Sequence, residues 1–254
     1  MLLAIDIGNS NVSVGIHRDG TWLHQWRIQT VRERMPDEYG VFVRSFFEQA
    51  GMKPEQTAQA IISSVVPQLT LGMTQMVERQ TGKPPLLLRY GVDTGIAIET
   101  DHPQATGNDL VANAVAGWHH FHANCIVVNF GTATTLTAVA APGRMLGVSI
   151  AAGLATTADA LAGKAAQLAH IPLAGPPSAI GRNTEHSMQS GLVLGHVAMV
   201  EGLIDRMRVE LPNAQVIATG GLVNILAPLT TYFDAVDPWL TLEGLRLIAE
   251  RNRE

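Results

Sequence analysis

An apolar run over residues 2–7 that only Asp6 interrupts, an alternation of Val12, Val14 and Ile16 with polar or small residues, and a third stretch over 22–28 predict an antiparallel meander of three strands. A helical period follows. Pro36, Asp37 and Glu38 suit a first turn, and Tyr39, Val41, Phe42, Phe46 and Phe47 give an apolar face that ends near Gly51. A buried strand over 60–65, a helix over about 69–80 with Met73 and Met76 as core filling, and a strand over 85–89 complete the first half. Residues 92–106 show no period. Gly107-Asn108-Asp109 then opens a helix through Val111, Val115 and Trp118.

The second half repeats the plan. Strands are predicted over 126–129, 134–140 and 144–150, then a helix from Ala151-Ala152-Gly153 to near His170. A proline-rich loop over 171–178 and a long helix over about 185–210 follow, then a strand ending in Thr219-Gly220-Gly221 and a last helix over 241–253. Laid on each other, the two meanders put Asp6 opposite Asn129 and Gly8 opposite Gly131. Such halves, each with a turn of glycine and hydroxyls, can grip a nucleotide from both sides.

The first turn is the size of a phosphate. Gly8 lets the backbone approach a ligand, Asn9, Ser10 and Asn11 offer donors, and Asp6 stands where a hydrated Mg²⁺ between phosphate oxygens wants negative charge. A plain hairpin with a polar turn also fits this stretch, which lacks the Gly-Lys-Ser/Thr of a P-loop.

Several motifs together resemble the type III pantothenate kinases, members of the actin, hexokinase and Hsp70 superfamily. They are Asp6-Ile7-Gly8-Asn9-Ser10, Arg32-Glu33-Arg34 with Asp37-Glu38-Tyr39-Gly40, Ser63-Ser64-Val65-Val66-Pro67, Gly131-Thr132-Ala133-Thr134-Thr135, Gly181-Arg182-Asn183-Thr184 and Ala218-Thr219-Gly220-Gly221-Leu222. The resemblance implies an α/β protein of two duplicated ribonuclease H-like (actin-like ATPase) domains, about 1–115 and 116–254, with a cleft between them. The last helix can return to the first domain. It further implies transfer of the γ-phosphate of ATP, with Mg²⁺, to pantothenate in coenzyme A biosynthesis. Asp6 would bind metal and nucleotide, Gly131 and Thr132 the phosphates, and Gly220-Gly221 the adenosine side. Asp109 is the implied catalytic residue, with Gly107, Asn108 and Thr184 on the acceptor. From spacing alone, Asp109 is equally a helix cap, and the helix terminus should lower its pKa.

The chain departs from the family at three places. Leu110 stands where the family has Arg, Asn129 where it has Asp, and Thr100 near where it has Tyr. In the family that Arg and Tyr meet pantothenate and that Asp holds K⁺ or NH₄⁺. Leucine cannot clamp a carboxylate, and Asn129 offers a carbonyl oxygen without charge, so monovalent-cation dependence should be weak. Three readings stay open: a pantothenate kinase that tolerates the changes, a same-fold kinase with another small-molecule acceptor, and a non-catalytic nucleotide-binding regulatory paralogue.

Composition narrows the partners. Charged residues are 15% of 254, against a usual figure of about 25%, so a second copy covering part of the surface is expected, with the face of Gly191, Gly195, Ala198 and Gly202 as its contact. Net charge is -5 and no basic run occurs, which argues against nucleic acid. The single Cys125 fits a reducing compartment, and no apolar run approaches the ~20 residues of a membrane span, so a cytoplasmic location is expected. His119, His120 and His122 suit the end of a helix better than a metal site.

Overall fold

The computed structural model of the chain describes residues 1–165 and 167–253. Its residues fall into two compact units, Met1–Ala116 with Thr241–Glu254, and Gly117–Leu240. In the first unit, β1 (Leu2–Ile7), β2 (Asn11–Arg18) and β3 (Thr21–Gln29) form the meander, and β4 (Gln59–Ser64) and β5 (Leu86–Leu87) lie beyond β1. The order is β3-β2-β1-β4-β5, with β1 antiparallel to β2 and parallel to β4. The predicted strand over 85–89 is thus only two residues long. The aperiodic stretch 92–106 holds a two-residue strand, β6 (Ala97–Ile98), and a single 3-10 turn, Pro103–Ala105.

Helices α1 (Pro36–Gln49) and α2 (Pro67–Thr81) start on prolines at their first position, where the missing N–H is no loss. Tyr39, Phe47, Met73 and Met76 pack with Leu3, Ile5 and Ile7 in one buried cluster. Because strand side chains alternate, Leu2, Ala4 and Asp6 belong to the opposite face of β1. That face meets α8 (Leu240–Arg251), since Gly15, paired with Ala4, lies against Leu242. Trp22 Nε1 donates to Glu243 Oε2 at 2.9 Å, and Arg246 pairs with both Glu243 and Glu250 at 2.6 Å. Helix α3 (Asn108–Phe121) crosses α8 so tightly that a Cβ on Gly244 would overlap the Ala112 carbonyl.

The second unit repeats the topology. Strands β7 (Cys125–Phe130), β8 (Ala133–Ala140), β9 (Arg144–Ala152), β10 (Gln215–Gly220) and β11 (Ala235–Val236) lie in the order β11-β10-β7-β8-β9. Again the first strand is antiparallel to the second and parallel to the fourth. Its core joins Ile126, Val128, Leu136, Val193, Ile204 and Val216. The fold is therefore α/β, made of two duplicated units of ribonuclease H-like topology.

Two helices differ from the sequence reading. Strand β9 runs through Ala152, so α4 (Leu154–Lys164) starts later, behind Gly153, and it also ends before His170; Ala166, inside the predicted helix, lies outside the described residues. The long helix is α5 (Thr184–Gln189), a π-helical turn over Ser190–Leu194, and α6 (Gly195–Glu210). A short α7 (Val223–Leu226) follows β10.

An interior helix Gly replaced by Ala ordinarily gains ~1 kcal/mol. At Gly244 the sign should reverse, because the new methyl meets the Ala112 backbone, and Gly244→Ala is expected to lose about 1–3 kcal/mol by overpacking. Urea unfolding of the two proteins checks it; equal or greater stability would contradict the close packing.

Candidate active site

Asp6 is the fifth residue of β1 and the only acid on the strand. The register sets it opposite Ser13 on β2 and Ser63 on β4, and Ser13 opposite Arg27 on β3. Residues opposite one another share a face, so Arg27, Ser13, Asp6 and Ser63 form one polar row across the sheet. Asp6 Oδ1 and Ser63 Oγ are both buried without a hydrogen-bond partner of standard geometry. An oxygen left in that state costs roughly 1–3 kcal/mol unless a ligand completes it.

The turn after β1 is strapped from β3. Gly8 N–H donates to the Asn11 carbonyl at 2.9 Å, and Thr30 Oγ1 donates to the Gly8 carbonyl at 2.7 Å. Thr30 N–H reaches the Ser10 carbonyl at 2.9 Å, and Arg32 Nη2 donates to Asn9 Oδ1 at 3.1 Å. These bonds leave Asn9, Ser10 and Asn11 exposed around a fixed loop.

Asp109 comes to Asp6 through α3. Asn108 Nδ2 donates to the Ser64 carbonyl at 3.2 Å, tying the start of the helix to the end of β4, the strand beside Asp6. Burial first, and then the Asp109 charge, push Asp6 up to about 7 against the opposing effect of neighbouring Ser63 and Arg27. Asp109 is also raised, by burial. The Leu110 N–H donates to Asp109 Oδ1 at 2.9 Å and opposes that rise, but it does not prevail. The sequence reading expected the helix terminus to lower this pKa; loss of hydration is the larger effect, so the carboxylate is a better proton acceptor than predicted.

The residues expected on the acceptor are split. Asn108 and Thr106 line a cavity of about 330 Å³ with Leu88, Tyr90, Ile98 and Val111. Thr100 Oγ1 lies 3.0 Å from Thr106 Oγ1, at the edge of this group. Leu110 instead turns into the core, only 8% exposed. Gly107 must be small, because a Cβ there would come within 2.8 Å of Asp109 Oδ1.

In the second unit, Asn129 occupies the fifth position of β7, opposite Thr135 and Thr219. The following turn closes through Gly131 N–H to the Ala133 carbonyl at 3.1 Å, and the Thr132 carbonyl accepts from Gly153 N–H at 3.0 Å and Thr156 Oγ1 at 2.8 Å. Gly220 has φ +103, and a Cβ there would stand 2.6 Å from Asn129 Oδ1. Glycine is thus required where β10 passes the Asn129 amide, and Gly221 beside it is exposed. Thr184 stands exposed at the first position of α5, whose cap is Asn183 Oδ1 accepting His186 N–H at 2.8 Å.

Among the described residues there is no group of three or more His, Cys, Asp or Glu side chains able to hold a metal ion. A Mg²⁺ ion fits all the same, because this small cation keeps waters and phosphate oxygens and asks one carboxylate of the protein, which the free Asp6 Oδ1 supplies. Sequence reasoning placed Ser13 at the end of the phosphate cradle but did not single out Ser63 or Arg27 for the site. Their row exists only once strands are paired.

The sequence model of the type III pantothenate kinase family matches residues 2–206. The type III pantothenate kinase of Geotalea uraniireducens is 42% identical over 255 residues, spanning 100% of both chains. That of Myxococcus xanthus is 44% identical over 253 residues, 99% of each. Among solved structures, the activator of the 2-hydroxyisocaproyl-CoA dehydratase from Clostridium difficile with bound ADPNP aligns at a TM-score of 0.56 and 12% identity, over 98% of this chain and 93% of that one, a likeness of fold. With full-length identity at this level and a family model spanning both duplicated turns, the chain belongs to the type III pantothenate kinase family.

Proposed function

We propose that the chain transfers the γ-phosphate of ATP to the primary hydroxyl of pantothenate, the opening step of coenzyme A synthesis. The observation that carries this reading is the buried, unpartnered Asp6 Oδ1 at the mouth of a phosphate-sized turn, with Asp109 as its electrostatic neighbour. Bound Mg²⁺ would neutralise phosphate charge, with Asp6 as its protein ligand and Gly8, Asn9, Ser10 and Asn11 as donors to the phosphates. In the second unit, Gly131 and Thr132 offer further phosphate contacts, and Gly220 with Gly221 leaves a surface free of side chains for adenosine. Asp109 aligns the acceptor hydroxyl and takes its proton, a role its raised pKa favours. Gly107, Asn108, Thr100 and Thr184 contribute to acceptor binding.

A second reading rests on Leu110. Its side chain is buried, so that position cannot hold the acceptor's carboxylate, and a kinase for another small hydroxyl compound fits the same machinery. A monovalent cation would find at Asn129 one neutral carbonyl oxygen, so K⁺ or NH₄⁺ activation is weak in either case. No described helix is long and apolar enough to cross a membrane, and a cytoplasmic enzyme acting on small molecules, without nucleic acid, fits the composition.

We also propose a homodimer through α6 and the turn before it. Gly191, Gly195, Ala198 and Gly202 are exposed, and an added Cβ at any of the three glycines meets nothing within the chain. Gly202→Leu should shift the protein from dimer to monomer in analytical ultracentrifugation without unfolding it. A parent that sediments as a monomer would contradict the interface.

ADP release from Mg-ATP is expected to require pantothenate and to fall at least ~100-fold in Asp109→Asn, the lower range for a general base, with ATP binding retained. Release that never depends on pantothenate but answers to another hydroxyl compound selects the second reading. K⁺ should change the rate little.

The free protein should also show the Asp6 charge in its stability. The folded pKa of about 7 lies above the usual 3.8, so between those values the folded chain holds a proton that the unfolded chain releases, and stability falls as pH rises through that window. Asp6→Asn removes the effect. The Tm advantage of Asp6→Asn over the parent, without nucleotide or Mg²⁺, should therefore grow from pH 5 to pH 8; a constant difference would show that Asp6 is not desolvated.

A further inference from the structure

The first phosphate turn carries no cation of its own. Residues Gly8, Asn9, Ser10 and Asn11 supply only neutral donors, and the two acids beside them, Asp6 and Asp109, would repel a polyphosphate in the absence of metal. The end of β3 and its exit bring positive charge to the turn. Arg27 lies in the polar row, two strands from Asp6 and hence about 10 Å away by backbone, with only the small Ser13 between them. Partial burial of the guanidinium lowers its pKa and the Asp6 carboxylate opposes that fall, while the residue as a whole keeps solvent exposure. Arg32 reaches the turn itself, donating to Asn9 Oδ1 at 3.1 Å with its side chain otherwise in solvent.

The duplicated unit sharpens the point. There the equivalent row is Thr219, Asn129, Thr135 and Ile150, so the position matching Arg27 holds an exposed hydrocarbon side chain. Topology alone does not ask for a cation at the end of the row. Thr30, between the two arginines, is bound to the turn through both Oγ1 and N–H, so the segment carrying them is held in fixed register with Gly8 and Ser10.

We propose that Arg27 and Arg32 bind the β- and γ-phosphates of the nucleotide at the Gly8–Asn11 turn. The assignment rests on the kinase reading above, and it adds the fixed cations that this reading leaves out. A guanidinium suits the task because its planar fork meets phosphate oxygens in pairs and stays charged at any working pH.

Isothermal titration of the whole protein without acceptor separates this role from simple support of the turn. Arg27→Met and Arg32→Met should each weaken Mg-ATP binding about tenfold or more, the scale of a lost charged hydrogen bond, weaken Mg-ADP less, and leave AMP binding unchanged. Arg27→Lys and Arg32→Lys should recover part of the loss, and the circular dichroism spectrum without nucleotide should match the parent. Equal losses for ATP, ADP and AMP, or unchanged ATP affinity in both Met variants, would overturn the proposal. A parent that binds no ATP overturns the kinase reading itself, which is a separate outcome from normal ATP binding that ignores both arginines.

Discussion

A charged group held out of water at the end of a buried strand governs the layout of the first unit. Asp6 follows four fully covered residues of β1 and is flanked by β2 and β4, so its carboxylate has left bulk solvent while still facing the mouth of a turn. That position is expensive unless neighbours or a ligand compensate. The neighbours do so only in part: Ser63 makes no standard hydrogen bond, Asp109 adds charge of the same sign, and Arg27 opposes from two strands away. The remaining deficit is what a divalent cation and its phosphates would relieve, and it explains why Asp6 lies among apolar residues that would pack better beside a hydrocarbon.

The rest of the scaffold can be read as holding that geometry still. Thr30 and Gly8 lock the turn, Asn108 locks the start of α3 to β4, and α8 lies across the same face of the sheet as Asp6. Tyr39 adds a remote brace, since its hydroxyl both donates to and accepts from the Val31 backbone at 3.0 and 2.8 Å, fixing the exit of β3 where Arg32 begins its reach.

Much of this was legible in the chain. An apolar run followed by an alternating strand marked both meanders, and the single polar residue interrupting each apolar run, Asp6 and Asn129, marked the duplicated turns. What escaped depends on information that is not local. The Arg27 row needs strand pairing. The raised pKa of Asp109 is not legible there, because a helix terminus is visible in sequence whereas burial by distant elements is not. The break at Ser190–Leu194 escaped because one π turn leaves the apolar stripe of a helix nearly in phase. The end of α4 is masked because alanines and a leucine continue past Lys164 with the same preference for helix.

The return of α8 to the first unit has a consequence for synthesis. As the chain leaves the ribosome, β1 to β5 emerge early, yet the backbone of Gly15 and the carbonyl of Ala112 wait for Leu242 and Gly244, which are translated more than 100 residues after Ala112. The second unit, contiguous from Gly117 to Leu240, has all its residues before then. Order of birth and order of completion are thus reversed: the half that begins first closes last, and a nascent chain stalled before Thr241 would display a finished second unit beside a first unit with one face still open.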